Sequence, residues 1–553
     1  MSDTEFELAG RIGGSGDDAQ PPASVAGVES GTPDLKRRTT VDQPKTTGFS
    51  SQWEAVLVGV LAFLVSSIGA SRPYFWSDEA ATISAATRPI PDLWRMLGNV
   101  DGHQGIYYLL MHCWYALFPV NELSSRLSSA LAVGIAAAGV VILGRQISTR
   151  TVALTAGIVF AVLPRVTFAG IEARPYAMTM AVAVWLTVLC VQTSQRPRQR
   201  SWAVYGGLLL IAILFNLFLV LLVPAHAVAV WMLSSEQRET MRQWGVVIAA
   251  SIGVAVPFLA IFNRKQQDHS TWVPPLSPET LRQILREQYF TAGEIYRGVP
   301  PTVAAIVAGA ILTAAVAIAV KSGSRRPSPL VAISLTWIAF PTVALLVFSV
   351  LFYPLYYPRF LAFTAPAFAL LLAISIVRVG RSRTGIAALL VIFAMTTTPI
   401  YLAQREPFAK GKMDYRQLAE IVDRYAEHGD CLVVDDNNDP GRRWWPLRTL
   451  VNLRHDSYAK LRDFGLASTA TQQNGLFDKT DPISSWTGKL SECQTLWTIS
   501  SRDDTLPGHQ RGAKLEPGPK FGETASYQVP SKLGFHIVER WQFNLTQITK
   551  STR

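Results

Sequence analysis

The chain has 553 residues, 49% of them hydrophobic and only 16% charged. That balance excludes an ordinary soluble enzyme and points to an α-helical polytopic membrane protein. A formal net charge of +11 does not imply a nucleic-acid partner, because the Lys and Arg residues fall in short clusters between apolar runs, as membrane topology signals do.

Residues 1–52 are polar and lack the apolar periodicity that could offset the entropy of ordering, so they read as a disordered tail. Met1 to Gly13 is acidic and polar, unlike a cleavable signal peptide. Lys36, Arg37, Arg38 and Lys45 precede the first apolar run and place the tail in the cytoplasm. The expected spans are 55–71, 126–144, 151–168, 175–193, 202–216, 218–233, 243–262, 302–320, 329–352, 359–378 and 385–403. One further apolar run, Ile106 to Phe118, falls short of the roughly 20 residues needed to span hydrocarbon, and it carries Tyr107, Tyr108, His112, Trp114 and Tyr115.

Charge decides how that run lies. If it does not cross, the loops with Arg145 and Arg150, with Arg196, Arg198 and Arg200, with Arg238 and Arg242, with Lys321, Arg325 and Arg326, and with Arg378, Arg381 and Arg383 all become cytoplasmic. If it crosses, every one of those basic clusters moves outside, against the positive-inside rule. Ile106 to Phe118 is therefore expected along the outer interface as an aromatic-rich helix. Eleven spans follow, with the tail inside and the C-terminus outside. The outer side receives the loop 72–125, the turn around Glu172 and Arg174, the loop 263–301, the turn before Arg359 and the segment 405–553. Chemistry is expected there.

The acidic pair Asp78-Glu79 follows the first span in Phe75-Trp76-Ser77-Asp78-Glu79. Acidic residues also simply begin interfacial helices, where they complement the helix dipole. Its company is informative: His103-Gln104-Gly105-Ile106-Tyr107-Tyr108, Glu172-Ala173-Arg174-Pro175-Tyr176 and Tyr357-Pro358-Arg359-Phe360 occur in order, all on the expected outer side. These motifs resemble the GT-C class of polyprenol-phosphate-dependent glycosyltransferases. Within it the chain looks like the protein O-mannosyltransferase and lipid A aminoarabinose transferase branch, particularly actinobacterial mannosyltransferase-like members. The resemblance covers roughly residues 53–404, which it implies form the GT-C transmembrane catalytic domain. Relatives read His-Pro-Pro-Leu-Tyr-Tyr where this chain has His103-Gln104-Gly105-Ile106-Tyr107-Tyr108, which puts the start of that helix and the acceptor preference in question.

A sugar carried on a lipid phosphate is already activated, so the enzyme must deprotonate an acceptor hydroxyl and steady the departing phosphate. The resemblance implies Asp78 as the base, with Glu79 orienting it or raising its pKa through like-charge proximity. Arg174 and Arg359 are the expected donor-phosphate ligands, since a guanidinium presents a planar fork that matches phosphate oxygens; the alternative for each is a headgroup anchor. Pro175 biases Arg174 away from helix, and Glu172 is placed to hold it. His103, Tyr107 and Tyr176 are supporting candidates. Asp78, Glu79, Asp101 and His103 together could ligate a divalent ion, but no close ligand spacing supports one and the metal stays unassigned.

The loop 263–301 contains Arg264, Lys265, Trp272, Arg282, Arg286, Tyr289, Tyr296 and Arg297, with Pro278 to Tyr289 reading as a short amphipathic helix. A lid over the lipid-phosphate site and a headgroup-contacting loop are both open readings. Beyond residue 404 the composition becomes that of a soluble domain. Tyr415 to His428 has helical spacing, Gly429 stops it, and Cys431 to Asp435 and Thr495 to Ser500 read as buried strands. A small extracytoplasmic α/β domain over 405–553 is expected, without a nucleotide-binding glycine motif. Cys431 and Cys493 each precede a strand and could form a disulfide; Cys113 and Cys190, in apolar settings, are expected to be buried thiols.

The expected function is transfer of a sugar, mannose by resemblance, from a polyprenyl-phosphate donor to a glycan, lipid or protein acceptor outside the cytoplasmic membrane, with the bilayer as the other partner. The rival reading is a transporter or lipid flippase whose outer carboxylates bind ions.

Overall fold

A computed structural model of the chain describes residues 49–263, 273–291, 298–323, 327–435, 447–507, 511–513 and 516–553. The tail expected over 1–52 lies outside the described residues up to position 48, as do Arg264, Lys265, Trp272, Tyr296 and Arg297 of the long loop.

Helix α1 (Phe49–Ser67) is followed by three shorter helices, α2 (Ser77–Ala86), α3 (Ile90–Leu97) and α4 (Gly105–Leu117). The bundle continues through α5 (Glu122–Ile147), α6 (Arg150–Val162), α7 (Pro164–Ala169), α8 (Tyr176–Gln195), α9 (Gln199–Phe215), α10 (Val223–Leu233) and α11 (Gln237–Asn263). After α12 (Pro278–Arg282) and α13 (Gln288–Phe290), joined by a π-turn, come α14 (Pro300–Lys321), α15 (Pro329–Leu351), α16 (Ala365–Gly380) and α17 (Arg383–Ala403). Among the described residues seven helices are long and apolar enough to cross a membrane. Four shorter apolar helices, Gln52–Ser67, Arg150–Val162, Gln199–Phe215 and Leu217–Leu233, complete a one-to-one match with the expected runs. The run 151–168 is broken because Pro164 cannot continue the hydrogen-bond ladder of α6 and instead starts α7. With 13 residues, α4 is only about 20 Å long, too short to span, and it packs on α2 and α9.

The buried half of the bundle is built on small residues. Gly59 of α1 and Gly134 of α5 face one another so closely that a Cβ on either would lie 2.9 or 2.8 Å from the other's carbonyl oxygen. Only glycine at both positions permits that backbone approach, the usual basis of tight helix pairing in lipid. This pairing sets the separation of the helices that flank the Asp78 loop.

The C-terminal segment begins with α18 (Tyr415–Tyr425), which ends just short of Gly429. Strands β1 (Cys431–Val434), β2 (Arg462–Asp463), β5 (Thr495–Ser501), β6 (Arg511–Ala513), β7 (His536–Gln542) and β8 (Thr546–Thr552) form one sheet in the order β2-β1-β5-β8-β7-β6, and β3 (Leu466–Ser468) and β4 (Lys479–Thr480) form a separate hairpin. The sheet is mixed: β1 runs parallel to β2 and β5, and the remaining pairs are antiparallel. Asp414, just ahead of α18, accepts from Leu545 N at 2.8 Å and Thr546 N at 3.1 Å, fastening the helix to β8. Cys431 and Cys493 are joined by a disulfide. Cys190 is buried, but Cys113 is exposed, because α4 lies at the periphery with one side unpacked.

Candidate active site

The loop from Ala70 to Tyr74 and the start of α2 are shaped by one side chain. Arg126, in the second turn of α5, is fully buried and donates to Ala70 O at 2.6 Å, Pro73 O at 2.7 Å and Tyr74 O at 3.2 Å. Its remaining donors grip Glu79 bidentately, at 2.8 Å to Oε1 and 2.7 Å to Oε2. The fork geometry of guanidinium and carboxylate accounts for why this pair, and not a lysine, holds the corner. Glu79 Oε1 also accepts from Ala173 N at 3.0 Å, and Lys410 Nζ lies 3.8 Å away. Burial acts to raise the Glu79 pKa, but Arg126, Lys410 and the Ala173 amide outweigh it and hold the carboxyl below its ordinary value.

The turn between α7 and α8 is pinned from two sides. Thr82 Oγ1 donates to Ala173 O at 3.0 Å and Ser129 Oγ to Glu172 O at 2.6 Å. Arg174 sits at a bend before Pro175, outside the helix that begins at Tyr176. From there its guanidinium reaches α2: Nη1 donates to Asp78 O at 3.4 Å and Nε lies 3.8 Å from Asp78 Oδ2. Burial works against its charge, and Asp78, with Tyr108, Tyr176 and Asp101, more than restores it, so its pKa stands well above the ordinary value. Arg359 approaches from the turn Pro358–Thr364, with Nη1 2.9 Å from Asp78 Oδ2. Its guanidinium lies 5.5 Å from the Trp76 ring, 5.9 Å from Tyr176 and 5.2 Å from Tyr357, within range for cation–π attraction.

The two carboxylates therefore occupy different surroundings. The Asp78 side chain keeps 24% of its surface open, whereas that of Glu79 is at 0%. Of the pair, only the Asp78 side chain is open to solvent. Glu172 does not hold Arg174: its backbone carbonyl accepts Arg174 N at 2.8 Å in a tight turn, while the Arg174 side chain pairs with Asp78. The Glu172 carboxyl is instead buried in the field of Lys410 and Arg359. Tyr107 and Tyr108 are both fully buried, and Tyr108 donates to Asp101 at 2.7 Å. His103 is exposed in the turn Gly102–Gln104 that precedes α4. Among the described residues no group of three or more His, Cys, Asp or Glu is arranged to hold a metal ion.

Three cations escaped the reading of the sequence. Arg126 stood at the edge of an apolar run. Lys410, fully buried 4.7 Å from the Phe168 ring, stood at the start of the soluble segment. Arg165, which donates to Gln288 O at 2.9 Å, stood inside an expected span. Arg165 shares a cavity of about 240 Å³ with Arg282 and Arg359, opposed by Glu279 and Glu287. The helical segment 278–290 of the long loop thus lies beside Arg359.

A sequence profile of the family described as dolichyl-phosphate-mannose-protein mannosyltransferase matches residues 106–262. No curated protein sequence matches significantly. The structure is similar to ArnT from Cupriavidus metallidurans in the apo state, with 13% identity, 91% of this chain and 98% of that chain covered, and a TM-score of 0.56. Matches are also found to the arabinofuranosyltransferase AftD from Mycobacteria (14% identity, coverage 92% and 40%, TM-score 0.48) and to the archaeal oligosaccharyltransferase AglB from Archaeoglobus fulgidus (12%, 82% and 70%, 0.43). The GT-C fold implied by the four motifs, and the resemblance to the O-mannosyltransferase and ArnT branch, are borne out by the profile and the ArnT structure.

Proposed function

We propose that the chain is a membrane glycosyltransferase that moves one sugar, mannose on the strength of the family profile, from a polyprenyl phosphate to an acceptor outside the cytoplasmic membrane. The observation that carries this reading is the partly exposed carboxylate of Asp78 set between two guanidiniums, 2.9 Å from Arg359 and 3.8 Å from Arg174. In the absence of donor these arginines neutralise Asp78. A donor phosphate would compete with Asp78 for the same forks and leave the carboxylate free to act as a base. The acceptor hydroxyl then gives its proton to Asp78 as its oxygen bonds to the anomeric carbon, and the bond from that carbon to phosphate oxygen breaks. Polyprenyl phosphate departs against Arg174 and Arg359, whose charge offsets what develops on the leaving oxygen. Glu79 is a positioning residue in this scheme, locking the N-terminal turn of α2 through Arg126. The segment 278–290, beside Arg359, is suited to cover the phosphate.

The test is transfer by purified protein from a panel of polyprenyl-phosphate sugars, with release of free polyprenyl phosphate measured alongside. Expected is turnover with one sugar of the panel; absence of release with every donor under conditions where the protein is folded would overturn the reading. Orientation is tested separately in a cysteine-free background: Ser484→Cys should label from outside intact cells, and Gln199→Cys only after permeabilisation.

A further inference from the structure

A second cavity lies on the other side of α2. Its volume is about 580 Å³, within the range of roughly 300–1,000 Å³ usual for small-molecule sites. The α2 wall consists of Ala80, Ile83, Ser84 and Thr87, the i, i+3, i+4, i+7 stripe of one helix face. Asp78 precedes that stripe by two residues and therefore points to the opposite face. The cavity is thus separate from the Asp78 site, with α2 as the partition between them.

The other walls come from the C-terminal domain, 448–478, and they are anchored to the bundle by the tip of the β3–β4 hairpin. Ser84 Oγ donates to Leu476 O at 2.6 Å, Arg88 Nη2 to Gly475 O at 2.6 Å and Asn99 Nδ2 to Asn474 O at 3.1 Å. Arg448 in the wall is bidentate on Asp463 and donates to Thr480 at 2.9 Å, so this side of the cavity is held stiffly.

The lining indicates the class of ligand. Two arginines, Arg88 and Arg448, face two aspartates, Asp463 and Asp478, so the site carries no net charge to reward an anion or a cation. Aliphatic side chains such as Val451 and Leu476 alternate with Asn452, His455 and Thr471, which is too polar for a lipid tail. Asn452, His455 and Thr471 of the lining are exposed and bring polar groups to the opening of the cavity. A neutral polyol with apolar C–H faces matches this combination of uncharged polarity and aliphatic surface.

We infer that this cavity is a non-catalytic binding site for a neutral oligosaccharide, through which the protein holds a glycan on the face of α2 opposite Asp78. The inference does not require the transfer reaction, because binding is measured without a donor. The probe is a panel of linear tri- to pentasaccharides of mannose, glucose, galactose and arabinose, titrated onto the full-length protein in detergent by ligand-observed NMR. Asn452 and Thr471 are exposed, so Asn452→Trp and Thr471→Trp fill the cavity from its rim without disturbing packed side chains. Expected is saturable binding of at least one neutral oligosaccharide that weakens tenfold or more in each variant, with donor binding at the Asp78 site unchanged. Binding that survives both tryptophans, absence of binding across the panel, or preference for phosphorylated or uronic acid-containing oligosaccharides would each overturn it. If the oligosaccharide binds but no donor is turned over, the transfer reading fails and this one stands.

Discussion

Asp78 and Glu79 are adjacent, bear the same functional group and begin the same helix, yet they belong to two regions built on different principles. The floor around Glu79 is closed: every donor of Arg126 is engaged and both side chains are fully buried. The mouth around Asp78 is left partly open, and its cations come from two distant turns. A carboxylate that shapes a site is satisfied by bidentate and backbone partners, whereas one that acts on a substrate keeps an accessible oxygen and partners that a ligand can replace.

The sharpest way to break this comparison is at the mouth. Asp78→Asn keeps the shape of the side chain and removes its basicity, so sugar transfer should fall by about 100-fold to 10,000-fold in a variant shown by thermal unfolding to remain folded. Near-normal turnover would return Asp78 to the helix-start role that acidic residues often fill.

The floor should respond in stability instead. Glu79→Gln leaves Arg126 buried without its carboxylate, a change expected to cost about 3–5 kcal/mol. Replacing both partners with apolar residues of similar volume, as in Glu79→Leu with Arg126→Met, should recover much of that loss. The fold holds the Glu79 pKa below its ordinary value, so its contribution is complete at neutral pH and disappears as pH falls through that lowered value. Thermal unfolding of single and double variants from pH 7 down to about pH 2, below the ordinary carboxylate range, measures both effects; equal loss in the single and double variants would sink the distinction between floor and mouth.

The apolar helices were legible in the sequence because composition alone decides what can enter a bilayer. Most of the sheet was not. Strands β1 and β5 read as apolar runs, but β8 is written Thr-Gln-Ile-Thr-Lys-Ser-Thr and is nonetheless mostly buried, since Gln547 donates to Ser501 O at 3.0 Å and Thr546 to Asp414 at 2.9 Å. Pairing of that kind is set by tertiary contact and leaves no hydropathy signal. The site divides similarly. Asp78, Arg174 and Arg359 lie in short motifs, whereas Arg126 and Lys410 are single cations whose partner, Glu79, is far away in sequence. Arg126 lies 47 positions from it, and no local spacing records that pairing.

A smaller change is expected from the cations of the mouth. Arg359→Ala and Arg174→Ala each remove a charge-assisted contact worth about 1.5–3 kcal/mol, so binding of a polyprenyl phosphate should weaken by roughly tenfold to 150-fold. Arg359→Lys should not restore it, because a lysine cannot present the fork while stacking against Trp76 and Tyr357. Restoration by lysine would indicate that Arg359 acts only as a point charge.

The smallest effect lies between floor and mouth, at Glu172. Burial raises its pKa, Lys410 and Arg359 act against that rise, Glu79 and Asp78 add to it, and the carboxyl is pushed up to about 7. Below that pH it is neutral, and the positive field of Arg359 and Lys410 is available to a phosphate. Above it the carboxylate ionises and competes for the same cations. Because the folded protein favours the protonated form, the associated stabilisation is fully present below the ordinary carboxylate range and lost as pH rises through about 7. Affinity for an anionic donor should therefore decline by a few-fold, and by no more than about tenfold, between pH 6 and 8. A phosphodiester sugar analogue suits the measurement, since it keeps one negative charge over that interval and does not titrate itself. Glu172→Gln fixes the neutral state, so its affinity should stay flat with pH and match wild type only at the acidic end. Parallel pH curves for wild type and Glu172→Gln would show that Glu172 does not titrate within reach of the phosphate, leaving Arg174 and Arg359 to set donor affinity without it.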